Sequence, residues 1–333
     1  MKRRVVITLM VCGLMAAIGV VAGAVVLLHR SGPPVNAPIV VTIEEGQRFA
    51  QVADELAALG VLRFPQLLTL WARATGQDRD VRWGEFLITT PLSPLELLAR
   101  VTSRPDPLHP VTIPEGLTVR EVVGALAGAG FGAEESFYCL LDDPAFLAAE
   151  DLPPEGAEGY LFPDTYSFPL ATPPDRILRA MLKRFRDVAT PALVMKAAKL
   201  GLTLHQVVTL ASLVEEEAHR ADERRLVAAV FVNRLRRGIP LQSDPTVLYG
   251  REPGDRALTH ADLHRPTPYN TYTIPGLPPT PISNPGRAAL EAAVDPAPVD
   301  YLYFVARGDG SHQFSATLAD HNAAVARYQR HAH

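Results

Sequence analysis

Cysteine is almost absent. Cys12 and Cys139 are the two among 333 residues, one in an apolar run and one in the body, so neither a disulfide framework nor a CxxC metal knuckle can be built. Basic residues are outnumbered, with 32 Lys and Arg against 36 Asp and Glu, and no basic cluster is dense enough to neutralise a run of phosphates. Nucleic acid is excluded as a partner on charge. No GxGxxG follows a strand, and neither GxxxxGK[ST] nor GxSxG occurs, which removes the dinucleotide, P-loop and nucleophile-elbow chemistries. His260 and His264 have helical i,i+4 spacing, but HExxH and a third ligand are missing, so neither metal nor cofactor is expected. With 47% apolar and 20% charged residues the chain is not disordered, and its length suits one large or two medium units.

One long uncharged run is present. Val5–Leu28 follows Lys2, Arg3 and Arg4 and contains no charge over 24 residues. As a helix it would span ~36 Å, enough for a ~30 Å hydrocarbon core. A cleaved signal peptide is the competing reading, since Ala22, Gly23 and Ala24 are small, but signal-peptide apolar regions are shorter, ~7–15 residues. The basic residues before the span predict residues 1–4 as a cytoplasmic tail, 5–28 as a single transmembrane helix, and everything beyond as extracytoplasmic. Residues 29–38, with Pro33, Pro34 and Pro38, read as a short stiff linker lifting the body off the lipid, and a body starting at Ile39 is expected to hold its own core.

The body opens with an internal repeat. Val41-Thr-Ile-Glu-Glu-Gly46 and its following helix pattern recur seventy residues later as Val111-Thr-Ile-Pro-Glu-Gly116, with Val52/Val122 and Leu56/Leu126 in register. Each copy is a β-branched run, a glycine turn and apolar residues at helical spacing, which predicts strand, turn, helix. A helix at Phe64–Ala74, a strand at Gly84–Thr90 and a helix capped by Ser93 lie between the copies, so a small α+β module is expected over 39–104. Such a module is either a plain packing unit or a saccharide-binding groove. Residues 105–333 form the larger mixed α/β part, with 105–158 as a repeat-like lead-in and 159–333 as its core.

Leu204–Ala218 carries the main signal for chemistry. Val207, Leu210, Ala211, Val214 and Ala218 fall on one helical face, which must be buried. Glu215 and Glu217 flank that stripe on opposite sides, while Glu216 points away from it and is expected to be solvated. A flank carboxylate can be desolvated into a general acid; a plain solvated acidic face is the alternative. Downstream, the segments Leu241–Tyr249 and Pro268–Pro279 mix amides, hydroxyls and tyrosines with rigid turns, the chemistry that holds sugar rings. An ordered proline-rich loop covering the core is the other reading. Asp244, before Pro245, is either a charge stabiliser or a turn acceptor. A hairpin over 302–315 and a helix over 318–328 close the chain.

Together, EGYLFPDTY from Glu158, ASLVEEEA from Ala211, LQSDPTVLYG from Leu241, PTPYNTYTIPGLPP from Pro266 and SHQFSATLADHN from Ser311 closely resemble the endolytic murein transglycosylases, the MltG or YceG-like family, over about residues 39–330. The resemblance implies a bitopic protein of the bacterial inner membrane with a LysM-like module at 39–104 and a catalytic domain at 105–333. It also implies cleavage of the MurNAc-β-1,4-GlcNAc bond of nascent peptidoglycan to a 1,6-anhydro-MurNAc end, beside the peptidoglycan synthases. Its catalytic glutamate falls on Glu217. Glu215, Gln242, Asp244, Tyr269, Asn270, Thr271 and Tyr272 are the supporting or substrate-binding candidates, and Glu215 is expected to hold groups of the 269–272 segment. A hydrolytic muramidase and a non-catalytic glycan-binding scaffold are the alternatives. Glu216, in place of the family's frequent lysine, is a departure, as are His260 and His264.

Overall fold

A computed structural model describes residues 2–251 and 258–328. Residue 1 of the expected cytoplasmic tail, and 252–257 and 329–333 of the expected catalytic domain, lie outside the described residues. The chain is mixed α/β and separates into two compact units, Met1–His109 with Ser167–Pro173, and Pro110–Tyr166 with Pro174–His333.

In the first unit, helix α1 (Lys2–His29) is followed by β1 (Ile39–Ile43), α2 (Phe49–Ala58), α3 (Pro65–Thr75), β2 (Gly84–Ile88) and α4 (Pro94–Thr102). Met10–His29 of α1 is long and apolar enough to cross a membrane. β1 and β2 pair antiparallel, Ile39 opposite Ile88 and Ile43 opposite Gly84. Alternation along β1 turns Val41 and Ile43 inward, where they meet Val52 and Leu56 of α2, Leu68 of α3, Phe86 of β2, and Leu97 and Val101 of α4. Ser93 caps α4, accepting from the Glu96 N–H while its own N–H donates to the Glu96 carboxylate.

Helix α1 does not end in a free spacer. Leu28 is 1% exposed and belongs to the core of this unit, with Val35 packed against it. The Gly32 N–H donates to Leu92 O at 3.0 Å, and a Cβ on Gly32 would stand 2.3 Å from that oxygen. The expectation of a core built from Ile39 onward is therefore corrected, because the last turn of the apolar helix turns one leucine toward the module.

The second unit contains most of β3 (His109–Ile113), α5 (Val119–Gly128), α6 (Glu134–Leu141), α7 (Pro144–Ala149), the first three residues of β4 (Asp164–Phe168), α8 (Pro174–Val188), α9 (Pro191–Lys199), α10 (Leu204–Glu217), α11 (Arg224–Arg236), α12 (Asp244–Leu248), α13 (His260–Leu263), α14 (Arg287–Val294), β5 (Tyr303–Ala306), β6 (His312–Ser315) and α15 (Leu318–Tyr328). β3 pairs with β4, and β5 with β6 antiparallel, Tyr303 opposite Ser315. Both repeat copies are a strand, a positive-φ glycine (Gly46, Gly116) and a helix, the glycine permitting the left-handed turn.

Helix α10 is central. Thr203 caps it by accepting from the Gln206 N–H, and every residue from Val207 to Val214 is buried against α9, α11 and α14. A helix enclosed on all sides needs no amphipathic stripe, so its last turn emerges into three different surroundings. That turn carries Glu215, Glu216 and Glu217.

Candidate active site

Glu217 is the final residue of α10, because Ala218 leaves the helix with an extended backbone. Its carboxyl is raised from 4.5 to about 7, first by burial and then by the like charges of Asp244 and Glu216; the Ser243 hydroxyl, which donates to Oε1 at 2.7 Å, acts in the opposite sense. The negative end of the helix dipole also disfavours a carboxylate in this turn. A cavity of about 490 Å³ opens beside it, walled by Gln242, Asp244 and Tyr272 and, from α11 and the terminal elements, by Arg234, Tyr303 and His321.

The loop that brings Ser243 to Glu217 is held at several points. Gln242 has φ +53°, a left-handed conformation costly for a side chain with a Cβ, and its N–H donates to Thr271 O. Its Oε1 accepts from Arg234 Nη1 at 3.1 Å. The Ser243 N–H donates to Thr271 Oγ1 at 3.0 Å, and Thr271 Oγ1 lies 2.9 Å from Thr246 Oγ1. Asp244 begins α12, and its Oδ1 accepts from the Tyr272 hydroxyl at 2.6 Å, so two segments 28 residues apart are joined at the cavity's edge.

Of the residues expected from the sequence, the structure brings Glu217, Gln242, Asp244 and Tyr272 round one cavity. Four stand outside its lining. Asn270 is 1% exposed; its amide donates to the carbonyls of Asp262, Leu263 and Arg265, and its Oδ1 accepts from the Tyr272 N–H, so it shapes the loop and has no amide left for a sugar. Thr271 is fully buried in the hydroxyl pair with Thr246. The Tyr269 hydroxyl pairs with Thr280, and its ring lies 4.7 Å from that of Tyr249. Glu215 accepts the Gly286 N–H at 2.9 Å and has Arg224 at 3.5 Å. It ties α10 to the start of α14, not to the 269–272 segment, because that flank of the helix faces α14.

Glu216 is not solvated. It is partly buried against the Gly116 turn, where a Cβ would come 3.3 Å from its Oε1, and burial raises its carboxyl, followed by the charges of Glu215 and Glu121, while the Ser283 hydroxyl lowers it. Wheel geometry missed this because the β3–α5 turn covers the face opposite the apolar stripe.

The sequence reading also missed Ser243, Arg234, Tyr303, His312 and His321. Ser243 stood between two chosen residues, and its partner could only be seen once the loop was folded back. The rings of His260 and His264 lie 4.7 Å apart and tilted by 33°, and the described residues hold no group of three or more His, Cys, Asp or Glu arranged to take a metal.

The model of the family described as the YceG-like family matches residues 41–327. A Bacillus subtilis protein named endolytic murein transglycosylase is 37% identical over 237 residues, covering 66% of this chain and 64% of its own length. A Streptococcus pneumoniae protein of the same name is 29% identical over 322 residues, covering 87% of this chain and 58% of its own. The chain thus spans less than two thirds of these relatives. The crystal structure of a yceG-like protein from Listeria monocytogenes superposes with a TM-score of 0.59 at 29% identity, covering 87% of this chain and 99% of that one. With the family matched across nearly the whole body, the chain belongs to the YceG-like family.

Proposed function

We propose that this chain is a membrane-anchored endolytic lytic transglycosylase of peptidoglycan glycan strands. The observation that carries the reading is Glu217, a carboxyl raised to about 7 and oriented by Ser243 at the edge of a polar cavity. It is supported by the name of the relatives. A carboxyl that titrates near neutrality can both give and take a proton at working pH.

In the reaction, Glu217 gives its proton to the glycosidic O4 as the C1–O4 bond breaks. The C6 hydroxyl of the same MurNAc ring forms the C1–O6 bond and passes its proton to the Glu217 carboxylate. The acid is restored and no water is consumed. Intramolecular attack has a high effective molarity in a ring held in the right pucker, so a second carboxylate nucleophile is unnecessary. Asp244 and Gln242 face the same cavity and stabilise positive charge at C1.

The reading places α1 in the bacterial inner membrane with its N-terminus in the cytoplasm, and the chain beyond residue 28 outside. Residues 39–104 then act as a LysM-like module and 105–333 as the catalytic domain, next to the synthases that supply the strands. A second reading, hydrolytic muramidase, is favoured by one observation: Asp244 shares the cavity with Glu217 and could hold a water. Mass spectrometry of digested uncrosslinked strands separates them. Anhydro ends support the lyase, reducing ends the hydrolase, and uncut strands would leave a glycan-binding scaffold.

A further inference from the structure

Hydrogen-bond donors and acceptors are unequally served around the Glu217 cavity. Each of its carboxylates already has a protein donor: Glu217 has the Ser243 hydroxyl and Asp244 the Tyr272 hydroxyl. Behind the wall, Glu223 takes both the backbone N–H and Nδ1 of His312. Two nitrogens of lining residues on α11 and α15 are left over.

Arg234 is 7% exposed, and no acid residue pairs with it among the described residues. Its Nε donates to Leu302 O, and its Nη1 to the carbonyls of Pro240 and Leu241 and to Gln242 Oε1; with the group also lying over the Tyr303 ring at 5.1 Å, the guanidinium is fixed and Nη2 is left without a hydrogen-bond partner. His321 stacks on Tyr303 at 5.1 Å, close enough to Arg234 to be influenced by its charge, and its buried Nδ1 has no hydrogen-bond partner. Both line the cavity.

A buried cation without a counter-ion is costly, and a low-dielectric wall strengthens its pull on any anion that arrives. A neutral sugar hydroxyl donates as readily as it accepts and would have no preference for this wall. A carboxylate brings acceptors alone, with the charge and planar shape a guanidinium matches.

The geometry points to a carboxylate subsite on this wall, formed by Arg234 and His321. Resting on the glycan-cleaving reading above, the group it takes is a carboxylate of the peptide carried on the lactyl ether of muramic acid. The enzyme would thereby select strands that still bear acidic peptides.

Binding tests this without cleavage. Uncrosslinked peptide-bearing strands, and the same strands with their carboxylates converted to amides, are titrated calorimetrically into the detergent-solubilised full chain carrying Glu217→Gln. Amidation should weaken binding on the order of tenfold. His321→Ala and Arg234→Lys should each shrink that difference. Equal affinity for the two strands, or a preference unchanged in both variants, overturns the subsite. Should Arg234→Lys melt early because Arg234 also holds backbone carbonyls, His321→Ala, which leaves those bonds intact, decides. A preference for acidic strands in this variant, with no cutting of them by the parent chain that keeps Glu217, would refute the enzymatic reading and leave the subsite standing.

Discussion

The hydroxyl of Ser243 donates to Oε1 of Glu217 at 2.7 Å, across 26 residues of chain. This bond fixes the carboxyl's direction and favours its charged form, against the burial that favours the neutral one. Glu217→Gln keeps volume and polarity but cannot transfer a proton. Strand cleavage, measured by mass spectrometry of released muropeptides, should fall by ~10²–10⁴ while circular dichroism stays native.

Two neighbours should move the pH profile of cleavage in opposite directions. Ser243→Ala removes a bond to the ionised form, so the Glu217 carboxyl rises further and the alkaline limb shifts to higher pH. Glu216→Gln removes a like charge, so the carboxyl falls and that limb shifts to lower pH. An unchanged limb in Glu216→Gln would mean that Glu216 is solvated, as its helical position alone suggests.

Stability should depend on pH through two glutamates. Glu217 and Glu158 are both raised from 4.5 to about 7, burial being the first cause in each. For such groups the folded state holds the proton more tightly than the unfolded chain. Their neutral forms carry no penalty below about 4.5, and stability is lost as pH rises from there through about 7. A difference of that size is worth about 3 kcal/mol per group. Glu158→Gln should flatten the decline of melting temperature over this window relative to the parent chain, although it weakens the bonds from the Val119 N–H and the Tyr249 hydroxyl.

Asn270→Ala should be costly although Asn270 is not itself part of the cavity lining. The change leaves the carbonyls of Leu263 and Arg265 and the N–H of Tyr272 without their partner. Such hydrogen bonds contribute ~0.5–1.5 kcal/mol each, so losing three should cost roughly 2–4 kcal/mol in denaturant unfolding. Cleavage should drop with it, because Tyr272 reaches Asp244 from this loop.

Much of this was legible from local pattern. Ser93 and its capping box, the two glycine turns of the repeat and the 318–328 helix follow from spacing and cap chemistry. The helix carrying Glu217 was found, but not its enclosure: Val207–Val214 gave a stripe on paper and full burial in the fold, because α14, which no spacing argument had singled out, covers the other side. The short helix at Asp244–Leu248 read as a turn, since five residues contain no period to detect. Asn270, Thr271 and Tyr269 have the composition of a sugar site but serve the loop that carries Tyr272 to the Glu217 cavity. Composition identified the segment; partners far apart in sequence decided which side chains face the cavity.

The seat of α1 gives the last test. Leu28 is buried among the residues of the first unit, and Gly32 has no room for a Cβ against Leu92 O. Leu28→Ala in the full chain should therefore destabilise that unit by about 2–4 kcal/mol, the cost of a buried leucine truncated in a packed core. Gly32→Ala should act in the same direction by forcing the backbone at Leu92 to shift. A body cut at residue 38 loses both contacts, and hydrogen exchange at Val41, Phe86 and Leu97 should be faster in it than in the anchored chain, with the second unit unaffected. Equal protection in the two forms would show that residues 29–38 are a spacer and that the module's core is complete from Ile39.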